Sequence, residues 1–243
     1  MLTNVARRVL DEAGRRYCGA VTRREEQRQR FRWVNERPVE YSFTFKSLGT
    51  VQPTTVLDVG TGLTALPSLL RTCGFVVTAI DNVHDYWPQG LFNRHWFVHD
   101  ADITGPALDR RFDAVVCVSV IEHISDHLAA VRGMLRALRP GGYLVITCPY
   151  SEHRYVPNVY TQHGSYGRAE PYICQQFSRA EVDAWLGQGG VLIEQEYWQF
   201  FEGDTWSCGP LIRPPKLVGP HERHQHTCLL IRRTLREETA GAL

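Results

Sequence analysis

Residues 54–149 alternate short, β-branched apolar runs with helix-like stretches, and this alternation restricts the fold more than any other feature of the sequence. Five runs have the length and composition of strands that are covered on both faces: residues 55–59, 76–80, 95–98, 113–118 and 143–147. The clearest helix spans residues 126–139, and the Pro140-Gly141-Gly142 sequence ends it. This order of strands and helices predicts a doubly wound α/β sheet.

The sequence before this region predicts helices. Apolar residues recur at helical spacing among the arginines and acids of residues 1–36, which is typical of one or two amphipathic helices. A further helix is predicted after Pro38. We therefore expect an N-terminal helical extension over residues 1–50.

Beyond residue 149 the alternation becomes looser. The pattern predicts a helix over residues 179–186, followed by strands over residues 191–198 and 226–232. We assign residues 51–243 to one sheet domain. Within it, two segments rich in polar, aromatic, glycine or proline residues are expected to be long loops: residues 150–177 and 202–223.

The overall charge and the cysteine content exclude several classes of protein. The chain has 27 basic and 26 acidic side chains, so no global field draws it onto nucleic acid or an anionic membrane. Its seven cysteines include no CxxC pair, which disfavours a disulfide scaffold or a zinc ribbon. No apolar run approaches a membrane span in length, and the first residues lack the pattern of a secretion signal. We expect a cytoplasmic protein with no membrane or nucleic-acid partner.

A glycine turn, Gly60-Thr61-Gly62, connects the first strand directly to a helix. Gly60 permits the tight turn, and Gly62 allows a ligand to approach the backbone at the start of the helix. With Ala65 in third place, the turn also satisfies the dinucleotide-binding pattern. The turn alone therefore leaves three interpretations open: a dinucleotide site, a site for another nucleoside ligand, and a structural turn without a ligand.

Two aspartates limit the choice of ligand. Asp58 lies two residues before the first glycine, where a carboxylate suits a cationic amine and repels a phosphate. Asp81 follows the second strand, in the position of a carboxylate that accepts hydrogen bonds from ribose hydroxyls. That role suits NAD and S-adenosylmethionine equally.

Three further motifs follow in order, namely Asp100-Ala-Asp102-Ile103, Phe112-Asp113 with Ile121-Glu122-His123, and Leu138-Arg-Pro-Gly-Gly142. Together with the aspartate and glycine turn, they resemble the class I S-adenosylmethionine-dependent methyltransferases that act on small molecules. The resemblance covers residues 55–149, and Thr64 departs from it where the family often has a third glycine. It implies a mostly parallel Rossmann-like sheet with an antiparallel last strand, and S-adenosylmethionine as the cofactor.

The resemblance also implies a set of cofactor contacts at the carboxyl ends of the strands. Asp58 and the glycine turn would surround the methionine portion, Asp81 would hold the ribose, Asp102 would meet the adenine amino group, and Ser119 would line the cofactor beyond the fourth strand. The complete predicted set is Asp58, Gly60, Thr61, Gly62, Asp81, Asn82, Asp102, Ile103, Ser119 and Val120.

Methyl transfer is an in-line displacement at an activated carbon, so the protein chiefly aligns the acceptor and excludes water. A base is needed only for some acceptors. His123 is the leading candidate because the ordinary pKa of histidine lies near neutral pH, and Glu122 is the second candidate. The alternative is that this pair caps and orients the helix that follows it.

Aromatic and histidine side chains in the last third of the chain are candidates for the acceptor pocket, because they combine an apolar body with a polar tip. An equally simple explanation is that they pack the last strands of the sheet. The predicted acceptor residues are Tyr150, His153, Trp198, Trp206, His224 and His226.

The spacing of His224, His226 and Cys228 also invites a metal interpretation. Alternation along a strand places these side chains on one face without any metal, so no metal site is expected.

The sequence thus predicts a methyltransferase that modifies an oxygen or nitrogen atom of a small molecule, with a homodimer as the candidate assembly. The main alternative is an RNA or protein methyltransferase that uses the arginine-rich first 40 residues. An NAD-dependent oxidoreductase of the short-chain type is disfavoured, because neither Lys46 nor Lys216 has a tyrosine four residues before it. A non-catalytic nucleotide-binding subunit is a further alternative.

Overall fold

The computed structural model describes residues 4–30, 34–83, 87, 90–165 and 172–235 of the 243-residue chain. The chain divides into two units, Met1–Asn35 and Glu36–Leu243. The first unit contains helix α1 (Asn4–Gln27), which confirms the predicted N-terminal helix. Within α1, Arg15 and Arg16 both pair with Glu12, at 2.7 and 2.8 Å.

Helix α2 (Arg37–Val51) belongs to the second unit, although the sequence-based division placed most of it in the N-terminal extension. The buried face of α2 carries Glu40, Phe43, Thr44, Ser47 and Leu48. These positions follow helical spacing, so one stripe of α2 packs on the sheet. The stripe mixes apolar residues with a carboxylate and two hydroxyls, which is unusual for a core-facing surface.

An eight-stranded sheet forms the second unit. Its strands are β1 (Thr55–Val59), β2 (Val76–Asp81), β3 (Val98–Asp100), β4 (Phe112–Val118), β5 (Leu138–Pro149), β6 (Gly190–Phe201), β7 (Leu211–Val218) and β8 (His226–Arg233). Their spatial order is β3-β2-β1-β4-β5-β8-β6-β7. Strands β1 to β5 are parallel, β8 is antiparallel to β5 and β6, and β7 is antiparallel to β6. The predicted fold, a mostly parallel sheet with an antiparallel last strand, is confirmed.

Three local predictions differ from the structure. Strand β5 begins at Leu138, where the sequence predicted the end of a helix and a Pro-Gly-Gly turn. Strand β3 begins at Val98, three residues later than the predicted start at residue 95. The segment 202–223, predicted to be a loop, contains strand β7. This strand lies at the edge of the sheet and bonds only to β6, so it tolerates Pro214 and Pro215, whose missing N–H groups would break a central strand.

Helices cover both faces of the sheet. Helices α2 and α3 (Leu66–Thr72) bury Phe43, Leu48 and Leu70 on one face. Helices α4 (His127–Ala137) and α5 (Arg179–Leu186) bury Met134 and Trp185 on the other. The chain leaves β1 and β4, which are neighbours, toward opposite sides of the sheet, and such a switch point opens a crevice at the carboxyl ends of the strands. Within the described residues, no helix is both long and apolar enough to cross a membrane.

Candidate functional site

The glycine turn lies at the switch point and closely approaches the end of β4. Gly60 and Gly62 have φ values of +74° and +54°, a conformation that side chains disfavour. A Cβ atom on Gly60 would lie 2.3 Å from Cγ1 of Val120, so only glycine fits there. A Cβ atom on Gly62 would meet Trp87 at 3.5 Å. The turn therefore places the predicted residues Gly60, Gly62 and Val120 in one cradle.

Asp58 lies at the bottom of this cradle and is 2% exposed. The Oγ1 hydroxyl of Thr61 donates a short hydrogen bond to its Oδ2 atom. Burial raises the pKa of Asp58 to about 7; the hydrogen bond from Thr61 lowers it, and the nearby charge of Asp81 raises it. A positively charged ligand would favour the ionised form of this carboxyl group.

Asp81 ends β2 and faces the glycine turn. Its Oδ2 atom accepts a hydrogen bond from the Gly62 N–H at 2.7 Å, and its Oδ1 atom accepts one from Nε1 of Trp87 at 3.2 Å. Burial raises the pKa of Asp81, while the hydrogen bonds from Gly62, Trp87 and the Asn82 backbone lower it. The predicted pair Asp81 and Asn82 thus lies beside the turn, with the carboxylate oriented by backbone and indole donors.

Asn93 holds the glycine turn and was missed by the sequence analysis. Its Nδ2 group donates to the carbonyl oxygens of Gly62 and Thr64 at 2.8 and 2.9 Å. Its Oδ1 atom accepts from the backbone of His95 at 2.7 Å. No local motif marks Asn93, because it lies 31 residues from Gly62 in the chain.

Asp102 and Ile103 follow β3 at the same edge. Oδ1 of Asp102 accepts hydrogen bonds from the N–H and the hydroxyl of Thr104, both at 2.8 Å, so this exposed carboxylate caps its own turn. The Ile103 side chain is 7% exposed and belongs to the core, and its carbonyl oxygen packs against Gly133 of α4. The backbone of Ile103 is thereby fixed at the edge where an adenine contact is predicted.

Ser119 directly follows β4 in a left-handed conformation, with φ of +50°. Its N–H donates to the carbonyl oxygen of Thr147 at 3.1 Å, and its hydroxyl donates to Oε1 of Glu40 at 2.5 Å. Such a conformation is unfavourable for a residue other than glycine, and these contacts hold it. The hydrogen bond to Glu40 therefore links the end of β4 to helix α2.

Glu40 is the centre of a buried hydrogen-bond network. Its Oε1 atom accepts from the hydroxyl groups of Ser119 and Thr147 and from Nε2 of His226, at 2.5, 2.8 and 3.0 Å. Its Oε2 atom accepts from Arg37 at 2.9 Å. Burial alone would raise the pKa of Glu40, but the hydrogen bonds from His226 and Ser119 and the charge of Arg37 help to outweigh it, and the pKa falls to about 2. Glu40 is therefore ionised, and both of its carboxylate oxygens accept hydrogen bonds.

The sequence analysis also missed Arg37 and Glu40. A signal was present: Glu40 occupies the same helical stripe as Phe43, Thr44 and Ser47, so its carboxylate had to face the sheet. A carboxylate on a core-facing stripe requires partners, and therefore points to a polar site.

Glu122 and His123 form a short 3-10 turn, Ile121–His123, after β4. Glu122 is 4% exposed, and burial raises its pKa to about 8. At neutral pH the carboxyl group is protonated, which suits a hydrogen-bond donor better than a base.

His123 is held in one tautomer. Its Nδ1 atom lies 2.7 Å from the carbonyl oxygen of Ile173, and since a carbonyl only accepts, Nδ1 carries the proton. In the neutral ring the proton-accepting lone pair is then on Nε2. The side chain is 22% exposed and packs edge-on against Tyr172, with ring centroids 4.7 Å apart.

His226 and Trp206 lie on the α2 face, near Glu40. The His226 ring is fully buried, 5.3 Å from the Trp206 ring and 5.6 Å from the Phe200 ring. The backbone N–H of Trp206 donates to Oε1 of Gln176 at 2.7 Å. Two predicted acceptor residues, His226 and Trp206, thus come together with Gln176, which sequence reasoning missed.

Three of the other predicted acceptor residues, Tyr150, His153 and His224, lie elsewhere. Tyr150 is buried on the face covered by α4 and α5, where it stacks on His224 with ring planes 9° apart and donates to Glu152 at 2.8 Å. His153 is exposed. Trp198 is the cross-strand partner of His226 on β6, and it lines a groove of about 260 Å³ beside α2. Within the part of the chain that the structure describes, no group of three or more histidine, cysteine or acidic residues could hold a metal ion.

Comparison with known proteins assigns the chain to one family. A family model described as a methyltransferase domain matches residues 23–241. The ubiquinone biosynthesis O-methyltransferase of Hydrogenovibrio crunogenus is 26% identical over 120 residues, which are 46% of this chain and 48% of that protein. The chain thus spans about half the length of the curated relatives it matches.

Two solved structures share the fold. The 1,6-didemethyltoxoflavin N1-methyltransferase of Burkholderia thailandensis, solved with that compound and S-adenosylhomocysteine, is 14% identical; the match covers 92% of this chain and 89% of that chain, with a TM-score of 0.55. An S-adenosylmethionine-dependent methyltransferase of Mesorhizobium loti is 16% identical; the match covers 79% of this chain and 98% of that chain, with a TM-score of 0.51.

Proposed function

This chain belongs to the methyltransferase-domain family, and we propose that it transfers the methyl group of S-adenosylmethionine to an oxygen or nitrogen atom of a small molecule. The observation that carries the proposal is the pair of inward-facing carboxyl groups at the switch point, Asp58 and Asp81, beside a glycine turn. Both an O-methyltransferase and an N-methyltransferase are among the proteins that the chain resembles, which supports either oxygen or nitrogen as the acceptor atom.

The charges of the site fit a cationic nucleoside better than a diphosphate. Burial raises the pKa of both Asp58 and Asp81, and the charge of Asp81 raises that of Asp58 further, so both carboxyl groups gain from a nearby positive charge. S-adenosylmethionine carries an ammonium group and a sulfonium. A pyrophosphate at the same place would add to the repulsion between the carboxylates. The residues present therefore fit S-adenosylmethionine and disfavour NAD.

Asp58, Thr61 and the glycine turn would hold the methionine portion, and Asp81 with Asn82 would hold the ribose. Asp102 and Ile103 would border the adenine, and Ser119 and Val120 would close the side toward β4. When bound, the cofactor supplies an activated methyl group. The protein's own part is to align the acceptor and exclude water.

His123 is the base that we propose for a hydroxyl or protonated amine acceptor. The hydrogen bond from Nδ1 to Ile173 orients the ring and keeps the proton-accepting lone pair on Nε2. Its partial exposure of 22% allows the proton to pass on to solvent after transfer. Glu122, which is protonated at neutral pH, donates a hydrogen bond in this proposal.

We do not extend the proposal to RNA or protein acceptors. That alternative depends on the arginines near the N-terminus, and α1 balances six arginines with four acids. Arg15 and Arg16 both pair with Glu12. The cytoplasmic location and the homodimer stay predictions from the sequence.

Titration calorimetry with S-adenosylhomocysteine tests the cofactor assignment. We expect binding to the wild-type protein, and at least a tenfold loss in Asp81→Asn, because a charged acceptor of two ribose hydrogen bonds is removed. Asp183→Asn, at an exposed position on α5, is the matched control and should bind like the wild type. Binding of NADH instead, or no heat with S-adenosylhomocysteine, would overturn the proposed function.

A further inference from the structure

Three buried polar atoms without partners lie near the end of β4. Among the described residues, five buried side-chain atoms lack a hydrogen-bond partner, and three of them belong to Glu122 (Oε2), Gln176 (Nε2) and His226 (Nδ1). The other two lie apart, on Ser47 of α2 and on His224, which stacks on Tyr150. Unpaired buried polar atoms are rare and unfavourable, so three such atoms near the end of one strand require an explanation.

Contacts bring together the segments that carry these three side chains. The backbone N–H of Gln175 donates to the carbonyl oxygen of Glu122 at 2.9 Å, which brings Gln176 beside the β4 turn. Gln176 accepts from Trp206 at 2.7 Å, and the Trp206 ring lies 5.3 Å from the ring of His226. Glu122 lies within electrostatic range of Glu40, the residue that holds His226.

The hydrogen-bonding character of two of the atoms is fixed by their neighbours. The oxygen of the Gln176 amide is occupied by the Trp206 N–H, so the amide presents its Nε2 group as a donor. In the tautomer whose Nε2 donates to the anionic Glu40, Nδ1 of His226 is the acceptor. Glu40 is thus a positioning residue for His226.

Aromatic side chains surround this polar set. Phe200 and Trp206 are edge-to-face at 5.4 Å and both flank His226, while Tyr160 and Tyr172 form a second pair at 6.0 Å next to His123. Such walls favour a flat ring over an extended aliphatic chain.

We propose that Glu122, Gln176 and His226 bind the polar edge of the methyl acceptor, and that the acceptor is a planar ring with a hydroxyl or N–H donor next to a carbonyl. The donor meets Nδ1 of His226, and the carbonyl meets the Nε2 group of Gln176. This inference rests on the proposed function, because it assigns the space beside the cofactor site to the acceptor.

Calorimetry in saturating S-adenosylhomocysteine tests the assignment with three probes. The compound 3-hydroxy-4-pyridone has both groups, 3-hydroxypyridine lacks the carbonyl, and 4-pyridone lacks the hydroxyl. We expect 3-hydroxy-4-pyridone to bind at least tenfold more tightly than either of the others, because each lacks one partner for a buried group.

Two variants assign the preference to individual residues. His226→Gln retains a donor toward Glu40 and removes Nδ1. In this variant, 3-hydroxy-4-pyridone should bind less than threefold more tightly than 4-pyridone. Gln176→Met removes the amide donor. In this variant, 3-hydroxy-4-pyridone should bind less than threefold more tightly than 3-hydroxypyridine. His221→Gln and Gln188→Met change exposed residues and should keep both preferences.

The outcomes separate this inference from the proposed function. Binding of S-adenosylhomocysteine without any preference for 3-hydroxy-4-pyridone, or with a preference that both variants retain, overturns the acceptor assignment alone. Absence of S-adenosylhomocysteine binding overturns the proposed function. Should His226→Gln fail to fold, Gln176→Met still decides the question, because its position is independent of the Glu40 network.

Discussion

Replacing Glu122 by glutamine is expected to stabilise the folded protein, by an amount that grows with pH. Burial raises the pKa of Glu122 from 4.5 to about 8. Between these values, the folded protein holds a proton that the unfolded chain has released, so the wild type loses stability as the pH rises. Glutamine stays neutral in both states and removes this loss.

The magnitude follows from the two pKa values. Each pH unit between them contributes about 1.4 kcal/mol, which amounts to about 1 kcal/mol at pH 5 and about 3 kcal/mol at pH 7. Above pH 8 the difference levels off, because the carboxyl group is then ionised in both states. A gain of this size is a large share of the stability of an ordinary domain.

Urea unfolding at pH 5, 6, 7 and 8, followed by tryptophan fluorescence, measures this difference. Glu26→Gln is the control, because Glu26 is exposed and its carboxylate stays in water on folding. We expect the control to track the wild type at every pH. A Glu122→Gln advantage that does not increase from pH 5 to pH 7, or a variant less stable than the wild type at pH 7, would refute the reasoning.

Two further predictions concern the base and the glycine cradle. His123→Ala should lower turnover of a hydroxyl acceptor by about 10²- to 10⁴-fold, with unchanged S-adenosylhomocysteine affinity by calorimetry; full turnover would remove His123 from the mechanism. Gly60→Ala should weaken that affinity at least tenfold and lower the Tm, because its Cβ would lie 2.3 Å from Val120 and φ is +74°. Gly49→Ala, in α2 with nothing within 4 Å, should instead leave affinity unchanged and stabilise the helix by about 1 kcal/mol in thermal unfolding; equal behaviour of the two variants would contradict the cradle.

The cofactor edge was predictable because its signals are local. Asp58, Gly60 and Gly62 lie within five residues of one another, and the turn that they form needs glycine for steric reasons that hold in any context. Asp81 follows directly after a strand that is recognisable by composition. The supports of the turn were not predictable, since Asn93 reaches Gly62 across 31 residues.

The acceptor side was harder to predict because it depends on which face of the sheet a residue occupies. His226 pairs with Pro149, so it lies on the same face as Pro149, and Tyr150, one residue later, lies on the other. The pairing register of β5 and β8 decides this, and a single sequence does not contain it. Both residues looked equally suited to the pocket from their chemistry.

Three buried carboxyl groups near the site show how the structure separates support from binding. Glu40 accepts four hydrogen bonds, and the net effect on its pKa is a fall to about 2. In the part of the chain described by the structure, Asp58 accepts a side-chain hydrogen bond from Thr61 alone, Oε2 of Glu122 has no partner, and burial raises their pKa values to about 7 and about 8. The three groups are buried to nearly the same degree, so burial alone does not explain the difference. A buried carboxyl group with few donors gains from a ligand that supplies more, which is why Asp58 and Glu122, and not Glu40, are the ones we assign to the cofactor and the acceptor.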